Sequence, residues 1–246
     1  MLPVMFLFFS ACTKKEPEPV KGLLITGNDH PAHKWKETTP VIKAILEKDS
    51  LSLITVSTNP DVLKDVSTKD YDFIILNYCN WEDPEGLTEY AKAGFISFLQ
   101  NGGGLIVLHF SNGAFHKSLP GAEASDWPEY RNIVRRVWDH NGNSTHDPYG
   151  DFTVDFPENR HYITRDLQPF VTHDELYFNQ VGDMTLKPLI TARSKVSGKD
   201  EPLAWVYSYG NGRIFQTLLG HGPDSYEAPQ YQEMLRRSVK WVTKKN

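Results

Sequence analysis

Four short apolar runs, separated by amphipathic stretches, constrain the fold of this chain more than any other feature. They are Lys21–Gly27, Leu51–Ser57, Asp72–Asn77 and Leu105–His109. Runs this continuous suit strands buried on both faces, which requires a parallel sheet covered by helices. The segments between them agree. Thr39–Lys48 predicts a helix with Val41, Ile42, Ile45 and Leu46 on one face and Pro40 near its first turn. Asp61–Val66 predicts a short helix, and Leu87–Gln100 a longer one with Leu87, Ala91, Phe95, Phe98 and Leu99 at helical spacing. Gly102–Gly104 stops it.

From Pro188 the strand pattern resumes as Leu189–Ser194, Leu203–Tyr207 and Gly212–Leu219. Tyr209-Gly-Asn-Gly212 joins the last two as a hairpin turn. A final helix is expected over Gln230–Thr243, with Tyr231, Leu235, Val239 and Val242 inward. Phe115–Gln180 reads as an elaboration, with a helix over Trp127–Trp138, a polar loop over Asp139–Tyr149 and a strand over Phe152–Phe156. The expected fold class is α/β, a three-layer sandwich with a mainly parallel central sheet, formed by one domain over residues 21–246.

The net charge of -5 argues against a nucleic-acid partner, because phosphate binding needs a basic stripe. The two cysteines, Cys12 and Cys79, cannot make a disulfide framework. Met1–Phe9 is almost wholly apolar, too short to span a bilayer, and is followed by Ser10-Ala11-Cys12. That arrangement resembles a bacterial lipoprotein signal, with Cys12 as the lipidated residue and Thr13–Val20 as a polar, Pro-rich tether. The expectation is an exported protein held at the bacterial cell envelope, touching membrane only through that anchor.

In parallel sheets ligands sit beyond the carboxyl ends of the strands. The residues there are Asn28-Asp29-His30, Asn77-Tyr78-Cys79-Asn80-Trp81 and His109-Phe110-Ser111-Asn112, so one crevice can collect them. Of nine histidines, His30 and His33 follow the first strand, His109 ends the fourth and His221 follows the last. Neutral imidazole binds metals and moves protons near pH 7. Taken singly each histidine reads as structural; taken together at strand ends, His30, His109 and His221 read as a site. His173-Asp174-Glu175-Leu-Tyr177 adds two carboxylates. Phe110-Ser111-Asn112-Gly113 lacks the Gly-x-Ser-x-Gly elbow of serine hydrolases. Gly102–Gly104 precedes a strand, so it is no phosphate loop.

Several of these segments together resemble the ThuA-like (trehalose-utilisation) family, a branch of the class I glutamine-amidotransferase fold, which is flavodoxin-like. They are Gly27-Asn-Asp-His30 with Trp35-Lys-Glu-Thr-Thr-Pro40, Gly102-Gly-Gly-Leu-Ile-Val-Leu-His109, His173-Asp-Glu-Leu-Tyr177, and Gly212-Arg-Ile-Phe with Leu219-Gly-His221. His221 matches the amidotransferase histidine, but His109–Asn112 occupies the cysteine position, so thiolate attack on glutamine is not expected. The resemblance implies carbohydrate processing, centred on sugars oxidised at carbon 3. It implies His109, His221, Glu175 and Asp174 as catalytic residues, and His30, Trp35, Asn77, Trp81 and Tyr177 as substrate contacts. A divalent metal on His30, His109 and His221 would supply the electrophile. Two alternatives remain: a lipid-anchored carbohydrate-binding protein without turnover, and a metal-dependent hydrolase of another substrate class.

Overall fold

The computed structural model of the protein describes residues 18–81, 83–157, 160–182, 185 and 187–245. Cys12 lies outside the described residues. The four apolar runs form β1 (Val20–Gly27), β2 (Ser52–Ser57), β3 (Phe73–Tyr78) and β4 (Gly104–Leu108). β3 and β4 are buried along their whole lengths, as continuous apolar runs require. The later strands of the same sheet are β6 (Gly150–Asp155), β7 (Phe170–Asp174), β9 (Ile190–Arg193), β10 (Asp200–Tyr209) and β11 (Gly212–Thr217). β5 (Thr145–His146) and β8 (Tyr177–Phe178) pair separately.

The nine-stranded sheet runs β2-β1-β3-β4-β11-β10-β9-β6-β7. Pairings from β2 across to β11 are parallel, and those from β11 to β7 are antiparallel. β10 and β11 form the expected hairpin through Gly210-Asn211, where Gly210 takes a φ of 57°. α1 (Trp35–Glu47) joins β1 to β2, and α2 (Glu89–Gln100) joins β3 to β4. These two crossovers step in opposite directions across the sheet, so right-handedness places α1 and α2 on opposite faces. α4 (Pro229–Val242) packs beside α1 and brings Val242 over Gly104, where a Cβ would lie 2.8 Å from it. Phe98 of α2 covers the neighbouring Gly103 from the other side, 2.2 Å from where a Cβ would stand. The result is a sheet between two helical layers. No helix among the described residues is long and apolar enough to cross a membrane.

Two expectations are corrected. α1 starts at Trp35, and Pro40 lies inside it. Its first turn is held by polar contacts, with Asn77 Nδ2 donating to Thr38 Oγ1 at 3.1 Å, which a hydrophobic pattern does not register. The helix expected over Trp127–Trp138 shrinks to α3 (Tyr130–Ile133). Trp127, Tyr130, Ile133, Val134, Val137 and Trp138 are buried at helical spacing, with Pro128 and Asn132 exposed between them, so the pattern imitates an amphipathic helix that the backbone does not complete. Val137 leaves the helix to exchange backbone hydrogen bonds of 3.0 Å with Val181, and tertiary pairing overrides local propensity.

A candidate metal centre at the strand ends

The crossovers leave β1 and β3 in opposite directions across the sheet, and a crevice opens there beyond the carboxyl ends of the parallel strands. Four side chains converge there. His33 comes from the β1–α1 loop, His109 is the first residue past β4, Glu175 follows β7, and His221 follows β11. One ligating atom from each lies within 4.8 Å of the others. The ring centroids of His33 stand 4.8 Å from His109 and 4.9 Å from His221, and those of His109 and His221 are 5.4 Å apart.

The backbone is bent to achieve this. His109 takes a φ of 43°, a left-handed conformation that is costly for a residue with a Cβ and that clusters at functional sites. Gly220, just before His221, has a φ of 133°, and a Cβ there would lie 2.6 Å from the Tyr226 hydroxyl. Only glycine lets the chain pass at that point.

Hydrogen bonds fix two of the rings. His109 Nδ1 donates to the Leu218 carbonyl at 2.7 Å, which leaves the lone pair on Nε2 facing inward. Burial, with His33 and His221 beside it, pushes its pKa well below the ordinary value, so the ring is neutral. His33 Nδ1 lies 2.9 Å from Asp29 Oδ1, and both side chains are buried. The carboxylate holds that nitrogen protonated and leaves the lone pair on Nε2, which the Tyr177 hydroxyl approaches to 3.4 Å. The same Asp29 oxygen accepts the His30 backbone N–H at 2.7 Å. Asp29→Ala should weaken divalent-metal affinity by about 10–100-fold. Calorimetric titration of the metal-stripped variant checks this, and unchanged affinity would contradict it.

His109 Nε2 and His221 Nδ1 are buried with no hydrogen-bond partner. His221 Nδ1 approaches Glu175 Oε2 to 3.1 Å, but not at a hydrogen-bonding angle. Burying unpaired acceptors is costly, and a bound cation removes that cost at both atoms. Burial raises the Glu175 pKa, but His221, His146 and His33 around it outweigh that and hold its carboxyl below the usual range. Three imidazoles and one carboxylate fit a first-row divalent metal, whereas calcium and magnesium favour all-oxygen sites. The residues present fit such an ion.

Beside the cluster lies a cavity of about 150 Å³. His33, Glu175 and Tyr177 border it on the cluster side, and His30, Trp81, Phe110, Trp138, His140 and His146 complete the lining. The Trp81 ring meets His30 edge-on at 4.6 Å and His140 at 4.8 Å.

The sequence-predicted residues divide clearly. His109, His221 and Glu175 meet in the cluster, while His33 takes the place expected for His30. His30 instead lines the cavity, with its Nδ1 accepting the Ala32 N–H at 3.1 Å. Trp81 lines the cavity as well. Tyr177 does too, with its ring packed against His109 at 4.4 Å and Trp138 at 4.7 Å. Its hydroxyl lies 3.4 Å from His33 Nε2. Trp35 opens α1 outside the cavity, where Lys36 sits over its ring. Asn77 is buried and donates to Thr26 and Thr38, tying β3 to β1 and α1. Cys79 is buried, and burial pushes its thiol pKa well up. Phe110 belongs to the strand-end segment expected in the crevice, whereas His140, His146 and Trp138 were not among the expected site residues, because they come from the elaboration between the two parts of the sheet.

Asp174 is buried away from the cavity and accepts the backbone N–H groups of Gly220 at 2.8 Å, Glu175 at 2.7 Å and His221 at 3.3 Å. It fastens the His221 segment to the strand that carries Glu175. Burial raises its pKa to about 6, against these hydrogen bonds and one from Ser225. Asp174→Asn should cost about 1–3 kcal/mol, since its amide nitrogen faces N–H donors. A raised carboxyl pKa contributes stability that is complete below the unfolded value and lost as pH rises through the folded one. The metal-free wild type should therefore lose stability relative to Asp174→Asn between about pH 4 and pH 6. Urea midpoints across that window check this; parallel profiles would contradict it. The opposite trend from His109 is common to both proteins and cancels.

Three imidazoles and a carboxylate past the ends of parallel strands define an α/β protein with a site suited to acid–base or metal chemistry. The sequence matches the ThuA family model, described as trehalose utilisation, over residues 21–242, and the chain belongs to that family. No curated protein matches it. Among solved structures it resembles a ThuA-like protein from Parabacteroides merdae, 23% identical with a TM-score of 0.77 over 93% of this chain and 91% of that one. A second, from Bacteroides uniformis, is 17% identical with a TM-score of 0.69 over 96% and 95%. The fold also occupies 31% of a β-galactosidase from Rahnella sp. R3, at 12% identity and a TM-score of 0.58 over 92% of this chain. These likenesses concern the fold. Family and cluster together support an enzymatic role in carbohydrate metabolism.

Proposed function

We propose that this protein is a carbohydrate-processing enzyme that cleaves or rearranges 3-keto-glycosides. The observation that carries the reading is the convergence of His33, His109, His221 and Glu175, with His109 Nε2 buried and unpartnered, beside an aromatic-walled cavity. A ketone at carbon 3 acidifies the proton on carbon 2. A base removes that proton, the glycosidic oxygen on carbon 1 leaves by β-elimination, and added water completes a net hydrolysis. Returning the proton elsewhere without loss of the aglycone is a rearrangement.

His33, His109, His221 and Glu175 would hold a divalent metal, which when bound supplies an electrophile for the carbonyl or enediolate oxygen. The other steps fall to groups of this chain. Trp81 and Trp138 give the apolar walls against which a sugar ring packs. His30, His140 and His146 line the cavity outside the four-donor cluster and are placed to take and return the carbon 2 proton.

The test is incubation of the purified protein with 3-keto-glucosides and their parent glucosides, with and without chelator, followed by mass spectrometry. Turnover of the keto-sugars alone is expected. Saturable sugar binding without turnover would replace the reading with a binding protein, and turnover of simple esters or amides instead would replace the substrate class.

A further inference from the structure

The pole of the sheet opposite the cluster carries a second cavity, of about 540 Å³, where the described chain begins. Glu18 and Val20 line it, together with Lys48, Arg236, Arg237, Lys240 and Lys245. Among the lining residues Glu18, Asp49 and Glu233 oppose these five cations, and Asp72 pairs with Lys245 at 3.1 Å, in a chain whose net charge is -5. Arg236 uses Nε and Nη2 on Glu233 Oε2, at 3.1 and 2.5 Å, and leaves Nη1 buried with no partner. Arg237 shares the same Glu233. Lys48 and Lys240 are exposed, the first just past the end of α1 and the second in the last turn of α4.

From these observations we infer that this basic groove is a membrane-facing surface that takes the phosphate of anionic phospholipid headgroups. It would hold the metal centre pointing away from the bilayer. The strand direction supplies the orientation. β1 enters at the groove with Val20 and ends at Gly27 beside the cluster, so the two sites sit a strand length apart, about 25 Å. Charge complementarity supplies the ligand, since partly neutralised guanidinium groups and lysines match a phosphate diester on an anionic surface. The sequence supplies the proximity. Cys12, read as the lipid-bearing residue, lies six residues before Glu18, and a chain of that length reaches about 20 Å. The orientation rests on that reading of Cys12; the headgroup contact does not.

The experiment is co-sedimentation of the full chain carrying Cys12→Ser with vesicles of phosphatidylcholine alone or with one third phosphatidylglycerol. Binding should favour the anionic vesicles by tenfold or more and weaken as salt rises. In the Lys48→Glu, Lys240→Glu double variant the preference should fall by about fivefold for each charge removed, and further for the charge reversed. Thermal melts confirm that the variant is folded. Equal sedimentation with both vesicle types, or a folded variant that keeps the full preference, would overturn the inference. So would complete competition by millimolar inorganic phosphate at constant ionic strength, which would mark a site for the free anion. Labelling of Cys12 with a radioactive fatty acid in cells reports on the anchor separately, so loss of the anchor and loss of the headgroup contact are told apart.

Discussion

Metal-stripped protein titrated with a first-row divalent cation should melt roughly 8–16 °C higher once the ion exceeds its dissociation constant about a thousandfold. The size follows from linkage. Binding to the native state alone adds about 4 kcal/mol at that excess. One kcal/mol moves the midpoint of a domain of this size by about 2–4 °C. The direction follows from the site, where His109 Nε2 is buried without a partner and His221 Nδ1 faces only the Glu175 carboxylate, 3.1 Å away. Calcium and magnesium should shift the midpoint far less, because three of the four donors are nitrogen. Differential scanning calorimetry with and without chelator decides the matter. His109→Asn is the matching control, because asparagine tolerates the left-handed backbone at φ 43° and lacks the imidazole lone pair. In that variant the shift should largely disappear.

The second large effect concerns turnover. Glu175→Gln should reduce the rate on a 3-keto-glucoside by about 10²–10⁴-fold while the protein stays folded. The carboxylate borders both the cluster and the cavity, and the three histidines facing it hold it ionised. Glutamine keeps the shape and removes the charge. Calorimetric metal titration of the same variant separates the causes. A rate lost in step with metal occupancy marks Glu175 as a ligand, whereas a rate lost at full occupancy marks it as a proton acceptor. A variant with wild-type turnover would remove Glu175 from the chemistry.

How much of this was legible in the sequence depends on which physical signal each residue carries. The strands were, because a run such as Asp72–Asn77 has only one way to bury both faces. So was the polar crevice, because a parallel sheet puts its ligands at one end. Trp127–Trp138 was not, because its buried residues keep helical spacing while Val137 is taken into backbone pairing with Val181, a long-range contact that no local period records. The exchange of His30 for His33 has a similar cause. The loop between β1 and α1 is irregular, with Gly27 and Asn28 both at positive φ, and no pattern tells which of two nearby histidines turns inward. Asp29, four residues before His33, was the available clue, since a ligating histidine needs a partner for its second nitrogen. Asp174 and Glu175 were adjacent and looked equivalent. Successive residues along an extended chain point to opposite sides, and here one lies under the Gly220 backbone and the other borders the cavity. Asn77 shows the limit of a strand-end argument, because its amide faces α1 instead of the crevice.

The centre itself is tested most directly by X-ray absorption spectroscopy on protein loaded with one equivalent of zinc. The account predicts a first shell of three imidazole nitrogens and carboxylate oxygen at about 2.0–2.2 Å, which His109→Asn does not retain. A first shell of oxygen alone, or a spectrum unchanged by that substitution, would contradict it.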